Sequence, residues 1–597
     1  LFIDVYIGGK VKDYKKYLSE EAANNVTKWL EKKKYQEYKP QLLEMIEAEK
    51  WQELEDAFFK IIEFGTGGRR GTTGIGSNRI NKVTIGESAQ ALCSYIEKFE
   101  PEAKTKGIAV VCDTRLSSPE LSRYVAEVVS GNGFKTYVYD GFRSTPQLSF
   151  TVRELKCAAG IVISASHNPP MDNGFKAYWT DGGQLVKPHD KGVMAEAEKI
   201  EEIVSLDFDK GVESGLITIL SSDMDDKYQE AVLRQSESDY RGDLKVVYSP
   251  LHGAGQRNSL PVLEKAGFNV IAVKEQMVPD GNFPTVKGGK ANPEERSAND
   301  MAVALMQAEK ADIAITNDPD ADRIGVMVYG EDGPIYLNGN MSASLDTEYV
   351  LSRMHEKGAL TDKHYIAKTI VTTDLMQAIA NRYGVKTYTN MLIGFKYIGE
   401  LIKNKEGTDE IFTIGGEESY GVLKGDYVRD KDGAVGALLS AEHAALLKKE
   451  GKTLLDKLYE MYETYGIYVE DLRTVMCPGK DGFSLMQKIM QNLRTNPVKE
   501  VLGERVTEIL DYESLKRKNL DTLEETDIDC YSGNVITLVF GDYRRRITIR
   551  PSGTEPKLKF YIQWFKESEG DVKKEYQEVR DLVENLGENL EATLLGD

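Results

Sequence analysis

Four segments of the chain carry residue types at spacings that could do chemistry. The first is Ile163-Ser164-Ala165-Ser166-His167-Asn168-Pro169-Pro170, running on to Asn173-Gly174-Phe175-Lys176. An apolar run gives way to small polar residues, which places hydroxyls at the carboxyl end of a strand, where ligands bind in open α/β sheets. A serine hydroxyl there could be a nucleophile or a phosphoryl carrier, with His167 or Lys176 handling protons or charge. Taken alone, the segment suits a polar turn that satisfies its own backbone equally well.

The second segment is Thr316-Asn317-Asp318-Pro319-Asp320-Ala321-Asp322-Arg323. Three carboxylates at alternate positions repel one another unless a cation sits among them. A calcium-sensor loop is a poor match, because its sixth position is Arg323 rather than Gly and its twelfth is Tyr329 rather than Glu. A Mg²⁺ held by a few carboxylates and completed by phosphate fits better, with a solvated acidic turn as the plain alternative. The third segment, Ile414-Gly415-Gly416-Glu417-Glu418-Ser419-Tyr420-Gly421, offers a carboxylate and a hydroxyl, Glu417 and Ser419, two apart on one face of an extended loop. Those groups suit sugar hydroxyls, but taken alone the segment reads better as a plain loop. In the fourth, Arg550-Pro551-Ser552-Gly553-Thr554-Glu555-Pro556, the guanidinium can bind a phosphate through two donors. Ser552, Gly553 and Thr554 add hydroxyl and backbone N–H donors; a tight hairpin turn is the local alternative. A softer feature, Phe64-Gly65-Thr66-Gly67-Gly68-Arg69-Arg70-Gly71, is rich in Gly and Arg but lacks the GxGxxG order of a dinucleotide site.

These segments must be positioned by elements that the hydrophobic pattern outlines. From about 63 to 465, short apolar runs alternate with helical stretches, with strands expected at 108–112, 136–139, 160–164, 245–248, 270–273, 312–316, 324–328, 365–370 and 410–414. Such alternation predicts α/β layers with mixed or mostly parallel sheets. Residues 466–597 carry alternating strands at 546–550 and 558–564 about a Pro-Ser-Gly turn, then a charged helix, so α+β suits them. Residues 1–62 read as a charged helical extension: Ser19 before Glu20 and Glu21 marks a helix start, and Leu54, Ala57, Phe58 and Ile61 repeat the i, i+3, i+4, i+7 spacing. The strand–helix units hint at structural repetition without a fixed-period sequence repeat.

In this order, the segments resemble the α-D-phosphohexomutase superfamily, specifically its phosphoglucomutase/phosphomannomutase branch, from about residue 60 to the end. The resemblance implies four domains around a central cleft, each supplying one loop: 63–240 with the phosphoserine loop, 241–342 with the metal loop, 343–465 with the sugar loop, and an α+β domain 466–597 with the phosphate loop. It implies that Ser166 is the phosphoserine and a metal ligand, and that Asp318, Asp320 and Asp322 bind Mg²⁺ beside Arg323. Glu417 and Ser419 match the sugar pair, and Arg550, Ser552, Gly553 and Thr554 the distal phosphate loop. Arg70, His167 and Lys176 resemble the basic residues around the transferred phosphoryl group, and Lys431 a further cleft lysine. Two positions depart from the pattern. Arg69 stands where relatives carry an apolar residue, with the cleft mouth or solvent as its expected surroundings, and Ile393 stands where a Thr is common.

The implied activity is interconversion of glucose 1-phosphate and glucose 6-phosphate through phospho-Ser166 and a hexose 1,6-bisphosphate, which serves as primer and intermediate. The form Glu417-Glu418-Ser419-Tyr420-Gly421 resembles the glucose type; mannose or pentose phosphates are the alternatives. A non-catalytic sugar-phosphate-binding relative is disfavoured because Ser166 and the Asp triplet are both present. A serine hydrolase is disfavoured by the lack of GxSxG.

Bulk composition agrees with a small phosphosugar as partner. The 597 residues hold 76 Lys and Arg against 96 Asp and Glu, a formal charge of −20. That average field repels phosphates, so nucleic acid and anionic membrane are not expected partners, and a phosphate-ester cleft must concentrate its own positive charge. Five scattered Cys without a CxxC pair argue against a disulfide or zinc framework and suit a reducing cytoplasm. No apolar run approaches 18 residues and no signal-peptide pattern opens the chain, so a cytoplasmic protein is expected, with monomer and homodimer both open.

Overall fold

The computed structural model describes residues 6–7, 10–11, 13–63, 68–477, 479–551 and 557–595. Three mixed sheets and one antiparallel sheet follow one another along the chain. The first is six-stranded in the order Arg69–Thr72, Asp172–Tyr178, Ala159–Ile163, Ile108–Cys112, Thr136–Tyr139, Ile217–Leu220. Its inner strands 159–163 and 108–112 are buried at every position, as expected of parallel strands covered on both faces by helices.

The second sheet runs Asn269–Ala272, Lys245–Ser249, Ile313–Asn317, Ile324–Gly330, Gly333–Leu337. The third runs Lys386–Tyr388, His364–Lys368, Ile411–Glu417, Gly421–Lys424. The seven-stranded fourth sheet contains Ile467–Met476, Lys557–Lys566, Asp542–Pro551 and Ile536–Phe540 as neighbours, all antiparallel. It is covered by the helix Val572–Leu595.

One topological device recurs. In each of the first three sheets, a central strand paired in parallel on one side turns back into an antiparallel partner: 159–163 into 172–178, 313–317 into 324–330, and 411–417 into 421–424. In the fourth sheet 542–551 turns back into 557–566. The four chemistry-bearing segments occupy these four reversals. This is the repetition that the pattern of strands hinted at, carried by topology without sequence similarity.

The domains share their interior. Helix Gly433–Lys449 is buried along most of its length and packs against strands of both the second and the third sheet. Helix Gly339–Glu356 runs through the expected boundary at 342. Domains three and four meet at a buried ionic cluster: Arg546 pairs with Asp374, and Lys368 lies 2.9 Å from the same carboxylate. Ile370, Val371 and Leu392 pack there against Leu510, Tyr512 and Val535.

The N-terminal residues form a helical unit with its own core around Val26, Trp29, Leu42 and Phe58. Ser19 caps helix Glu20–Glu31, its hydroxyl accepting from Ala22 N at 3.3 Å. The third helix stops at Phe58, so Ile61 lies beyond the helical stripe and is 51% exposed, unlike the buried face the spacing suggested. Among the described residues, no helix is long and apolar enough to cross a membrane.

Candidate active site

Ser166 lies in the reversal after strand 159–163, buried and in the left-handed region at φ 52°. A non-glycine residue held there costs roughly 1 kcal/mol or more and needs support from its surroundings. The support is visible. Ser166 N–H donates to Ser164 Oγ at 2.7 Å, and Ser164 Oγ donates to Asp113 Oδ2 at 2.6 Å. The fully buried guanidinium of Arg115 donates to the carbonyls of Ser166 (2.5 Å), Asn168 (2.5 Å), Pro169 (2.7 Å) and Asp172 (2.9 Å). Four backbone carbonyls of the loop, of which Pro169 O also accepts from Asp172 N–H at 3.0 Å, are tied to one planar donor, so the loop is rigid where it meets the cleft.

From the second sheet, the reversal after 313–317 brings Asp318 to this loop. Ser166 Oγ donates to Asp318 Oδ2 at 2.7 Å, and His167 Nδ1 lies 3.2 Å from the same hydroxyl. A hydroxyl has one proton, and the shorter distance assigns it to the carboxylate. The ligand atoms of Asp318, Asp320 and Asp322 lie within 4.8 Å of one another, all buried. Asp320 Oδ2 accepts from Thr145 Oγ1 at 2.6 Å and from Lys176 Nζ at 2.7 Å, while Lys431 Nζ lies 2.9 Å from Asp322 Oδ2.

The cluster remains electron-rich despite two lysines. Burial, then the neighbouring Asp322 and Asp320 carboxylates, push Asp318 well above the usual carboxylate range. Burial opposes ionisation of Asp320 too, but the Lys176 ammonium outweighs it and holds that carboxyl well below. Asp320 Oδ1 and Asp322 Oδ1 are buried without a hydrogen-bond partner. Uncompensated buried carboxylate oxygens are costly, and a triplet of carboxylates this close together is an oxygen-ligand set suited to a hard divalent cation such as Mg²⁺.

Ten of the residues expected at the site line one cleft of about 740 Å³: Arg70, Ser166, His167, Lys176, Asp322, Arg323, Glu417, Ser419, Lys431 and Arg550. Asp318 and Asp320 sit fully buried just behind its wall. Arg70 Nη1 donates to Asn168 Oδ1 at 3.2 Å, and Arg323 pairs with Glu294. Burial, reinforced by Arg323 and Arg70, holds His167 well below its ordinary range, so its imidazole is neutral. Burial pushes Glu417 up to about 8, against the pull of Lys431. Ile393 also lines the cleft. Ser552, Gly553 and Thr554 lie outside the described residues, as does 64–67 of the Gly-rich segment.

The chain's relatives carry the same organisation. Residues 62–204, 226–331 and 338–465 match, in order, the α/β/α domains I, II and III of phosphoglucomutase/phosphomannomutase. The phosphoglucomutase of Staphylococcus haemolyticus is 35% identical over 514 residues, 85% of this chain and 91% of the relative. A Staphylococcus aureus phosphoglucomutase is 34% identical over the same shares. The chain belongs to the phosphoglucomutase/phosphomannomutase family.

Solved structures agree on the fold. Parafusin from Paramecium, a phosphoglucomutase in its open form, superposes with a TM-score of 0.64 at 17% identity, covering 90% of this chain and 96% of its own. A family protein from Burkholderia thailandensis gives 0.59 at 18% identity, covering 88% and 97%. By its phosphoglucomutase relatives at 34–35% identity, the protein is a phosphohexomutase, an isomerase.

Several cleft residues of this phosphohexomutase escaped sequence reasoning. Lys559 is the direct cross-strand partner of Arg550, and both line the cleft. Directly paired residues share a sheet face, so the two cations act on one volume. Burial holds the Lys559 ammonium below its usual range, opposed by Glu294 and Glu418. The available signal was period-two alternation, Lys557, Lys559, Tyr561 and Gln563 against Leu558 and Phe560. It identifies a polar face but not what that face meets. Arg115 had no local signal beyond its type. Arg69 is corrected: it is 3% exposed, on the opposite face of its strand from Arg70, and reaches neither the cleft mouth nor solvent.

Proposed function

We propose that this phosphohexomutase interconverts glucose 1-phosphate and glucose 6-phosphate, with Ser166 carrying the phosphoryl group between them. The observation that carries this reading is the approach of the Ser166 hydroxyl to Asp318, which brings a nucleophilic oxygen and a cation-ready carboxylate cluster together at the wall of the cleft. Asp318, Asp320 and Asp322, with an oxygen of phospho-Ser166, would hold Mg²⁺. When bound, that ion supplies positive charge to the phosphoryl oxygens.

The chain's own residues do the rest. In phosphoryl transfer the protein's main work is positioning and charge stabilisation. The free hydroxyl of the sugar attacks phosphorus in line, the P–Oγ bond of Ser166 breaks, the sugar hydroxyl gives up its proton, and Ser166 takes one up. Lys176, His167 and Arg70 surround this point, and the neutral His167 imidazole beside Oγ is the group of the three placed to exchange a proton with it. The resulting hexose 1,6-bisphosphate turns over within the cleft and returns its other phosphate to Ser166 by the reverse steps.

Turning over requires a grip indifferent to orientation. Arg550 and Lys559, with Ser552, Gly553 and Thr554, would hold whichever phosphate is not reacting, while Glu417 and Ser419 bind sugar hydroxyls and Lys431 closes the wall between them. The glucose preference rests on Glu417-Glu418-Ser419-Tyr420-Gly421 and on the phosphoglucomutase names of relatives at 34–35% identity.

Phosphopeptide mapping of the purified protein is the first test, with substoichiometric phosphate on Ser166 expected. Turnover of glucose 1-phosphate, mannose 1-phosphate and ribose 1-phosphate, each with its own bisphosphate primer, then decides the sugar. Higher kcat/KM on mannose or ribose phosphate would replace glucose in this reading, and turnover retained by Ser166→Ala would end it.

A further inference from the structure

The strand Arg69–Thr72 forms the edge of the first sheet, laddered to Asp172–Tyr178 on one side, while beyond that ladder Ile80 N–H donates to Thr72 O at its end, at 2.9 Å. Edge strands lack the second row of ladder bonds that holds a central strand in place. Yet this strand presents Arg70 to the phosphoserine loop, where a displacement of about 1 Å costs on the order of 100-fold in rate. Something must replace the missing neighbour.

The N-terminal helical unit reaches this strand through helix Lys82–Ile96. Arg69 Nη1 donates to Thr84 O at 2.7 Å and lies 3.9 Å from Glu87 Oε2, both on helix Lys82–Ile96. The other oxygen of Glu87 is 2.8 Å from Lys34 Nζ of the N-terminal unit, and Lys34 also donates to Ile200 O at 2.5 Å. Both side chains of the Lys34–Glu87 pair are largely buried, at 8% and 11% exposure, so the pair is poorly screened and removal of one partner strands the other.

The loop that follows the strand is held by the same unit. Ile75 inserts into the N-terminal core, Asn78 N–H donates to Ala57 O at 2.9 Å, Ser77 Oγ to Lys60 O at 2.7 Å and Arg79 Nη1 to Asp56 O at 3.0 Å. Gly76, at φ +132°, lies so close that a Cβ would sit 2.4 Å from Ala57 O.

We infer that the N-terminal helical unit is a positioning element for the transfer step: through Lys34, Glu87 and Arg69 it holds the edge strand from outside so that Arg70 faces the phosphoryl group. Arg69 and Arg70 divide the work by strand alternation, one anchored outward and one acting inward. Glu87 and Lys34 are positioning residues, and the inference rests on the reading of Arg70 given above.

The test compares Glu87→Gln, Arg70→Ala and the double variant in the full chain, assayed well below the melting temperature. Glu87→Gln is expected to lower kcat by about 10- to 100-fold with KM for the sugar phosphate nearly unchanged. In the Arg70→Ala background the same change should cost less than about twofold, because both act through one group. Equal losses in both backgrounds, or full kcat in Glu87→Gln, would overturn the inference and leave the role of Arg70 standing. Unchanged turnover in Arg70→Ala would instead overturn that role and the purpose of the clamp with it. Should Glu87→Gln fail to fold, Lys34→Gln takes its place in the cycle. Amide hydrogen exchange at 69–72 provides a second readout: faster exchange in the variant supports the clamp, and unaltered exchange rejects it.

Discussion

Ser166 Oγ and Asp318 Oδ2 lie 2.7 Å apart across 152 residues of chain. Each sits in the reversal of a different sheet, so the contact exists only when the first two domains are docked. The hydroxyl is thereby buried, oriented and placed at the rim of a carboxylate cluster before any substrate enters.

Replacing Asp318 with Asn keeps the shape of this contact and removes its charge. Mutase turnover is expected to fall by about 10²–10³-fold or more, the usual scale for losing one preorganised electrostatic group. A matching circular dichroism spectrum and melting temperature in the variant would place the loss in the chemistry; turnover within threefold of the parent would contradict the assignment.

Chelation should abolish turnover, and Mg²⁺ should restore it. Because Asp320 Oδ1 and Asp322 Oδ1 are buried without partners, the ion should also stabilise the fold, by about 2.7 kcal/mol at a hundredfold excess over its Kd. Differential scanning calorimetry with and without Mg²⁺ measures this directly, and the shift should disappear in Asp318→Asn.

Between the third and fourth domains, Asp374 holds two buried cations, Arg546 and Lys368. The Asp374→Asn variant leaves both without their counter-charge. Breaking a buried ion pair from one side costs about 3–5 kcal/mol. Urea unfolding should show a loss of that size, and Asp374→Asn with parental stability would mean that the cluster contributes nothing to docking of the fourth domain.

Asp346, on helix Gly339–Glu356, gives a pH signature away from the cleft. Burial pushes its carboxyl up to about 8 from an unfolded value near 3.8, and the Ser440 hydroxyl, at 3.3 Å, only partly offsets this. The folded state therefore holds a proton that the unfolded state releases between these values. Its contribution is fully present below about pH 4 and is lost as pH rises through about 8, at up to about 1.4 kcal/mol per unit. Asp346→Asn should flatten that slope; identical pH–stability curves for parent and variant would refute it.

Much of the site was legible in the chain because its parts are contiguous. Ser166-His167-Asn168, the alternating Asp318, Asp320 and Asp322, and Glu417 with Ser419 each sit in one short turn after an apolar strand. Residue type and spacing suffice there, since neighbours in a turn stay neighbours after folding. The parallel strands were legible too, being buried runs that admit little but Ile, Val and Ala. Other short edge strands, among them Arg69–Thr72 and Lys386–Tyr388, were not, because few or no apolar residues set them apart from a loop, whereas the edge strand Asn269–Ala272 was expected at 270–273.

What the sequence by itself determined was the inventory of candidate groups: a serine hydroxyl, three alternating carboxylates, a carboxylate–hydroxyl pair and an arginine before a Ser-Gly-Thr run, in that order along an acidic chain. Tertiary structure alone decided which of these meet and what holds them there. Lys559 joins Arg550 through strand register, Arg115 ties down the Ser166 loop by reaching four carbonyls, and Arg69 turns away from the cleft to meet Glu87. Such relationships depend on pairing between segments distant in the chain, where a shift of one residue reverses the face on which every side chain lies.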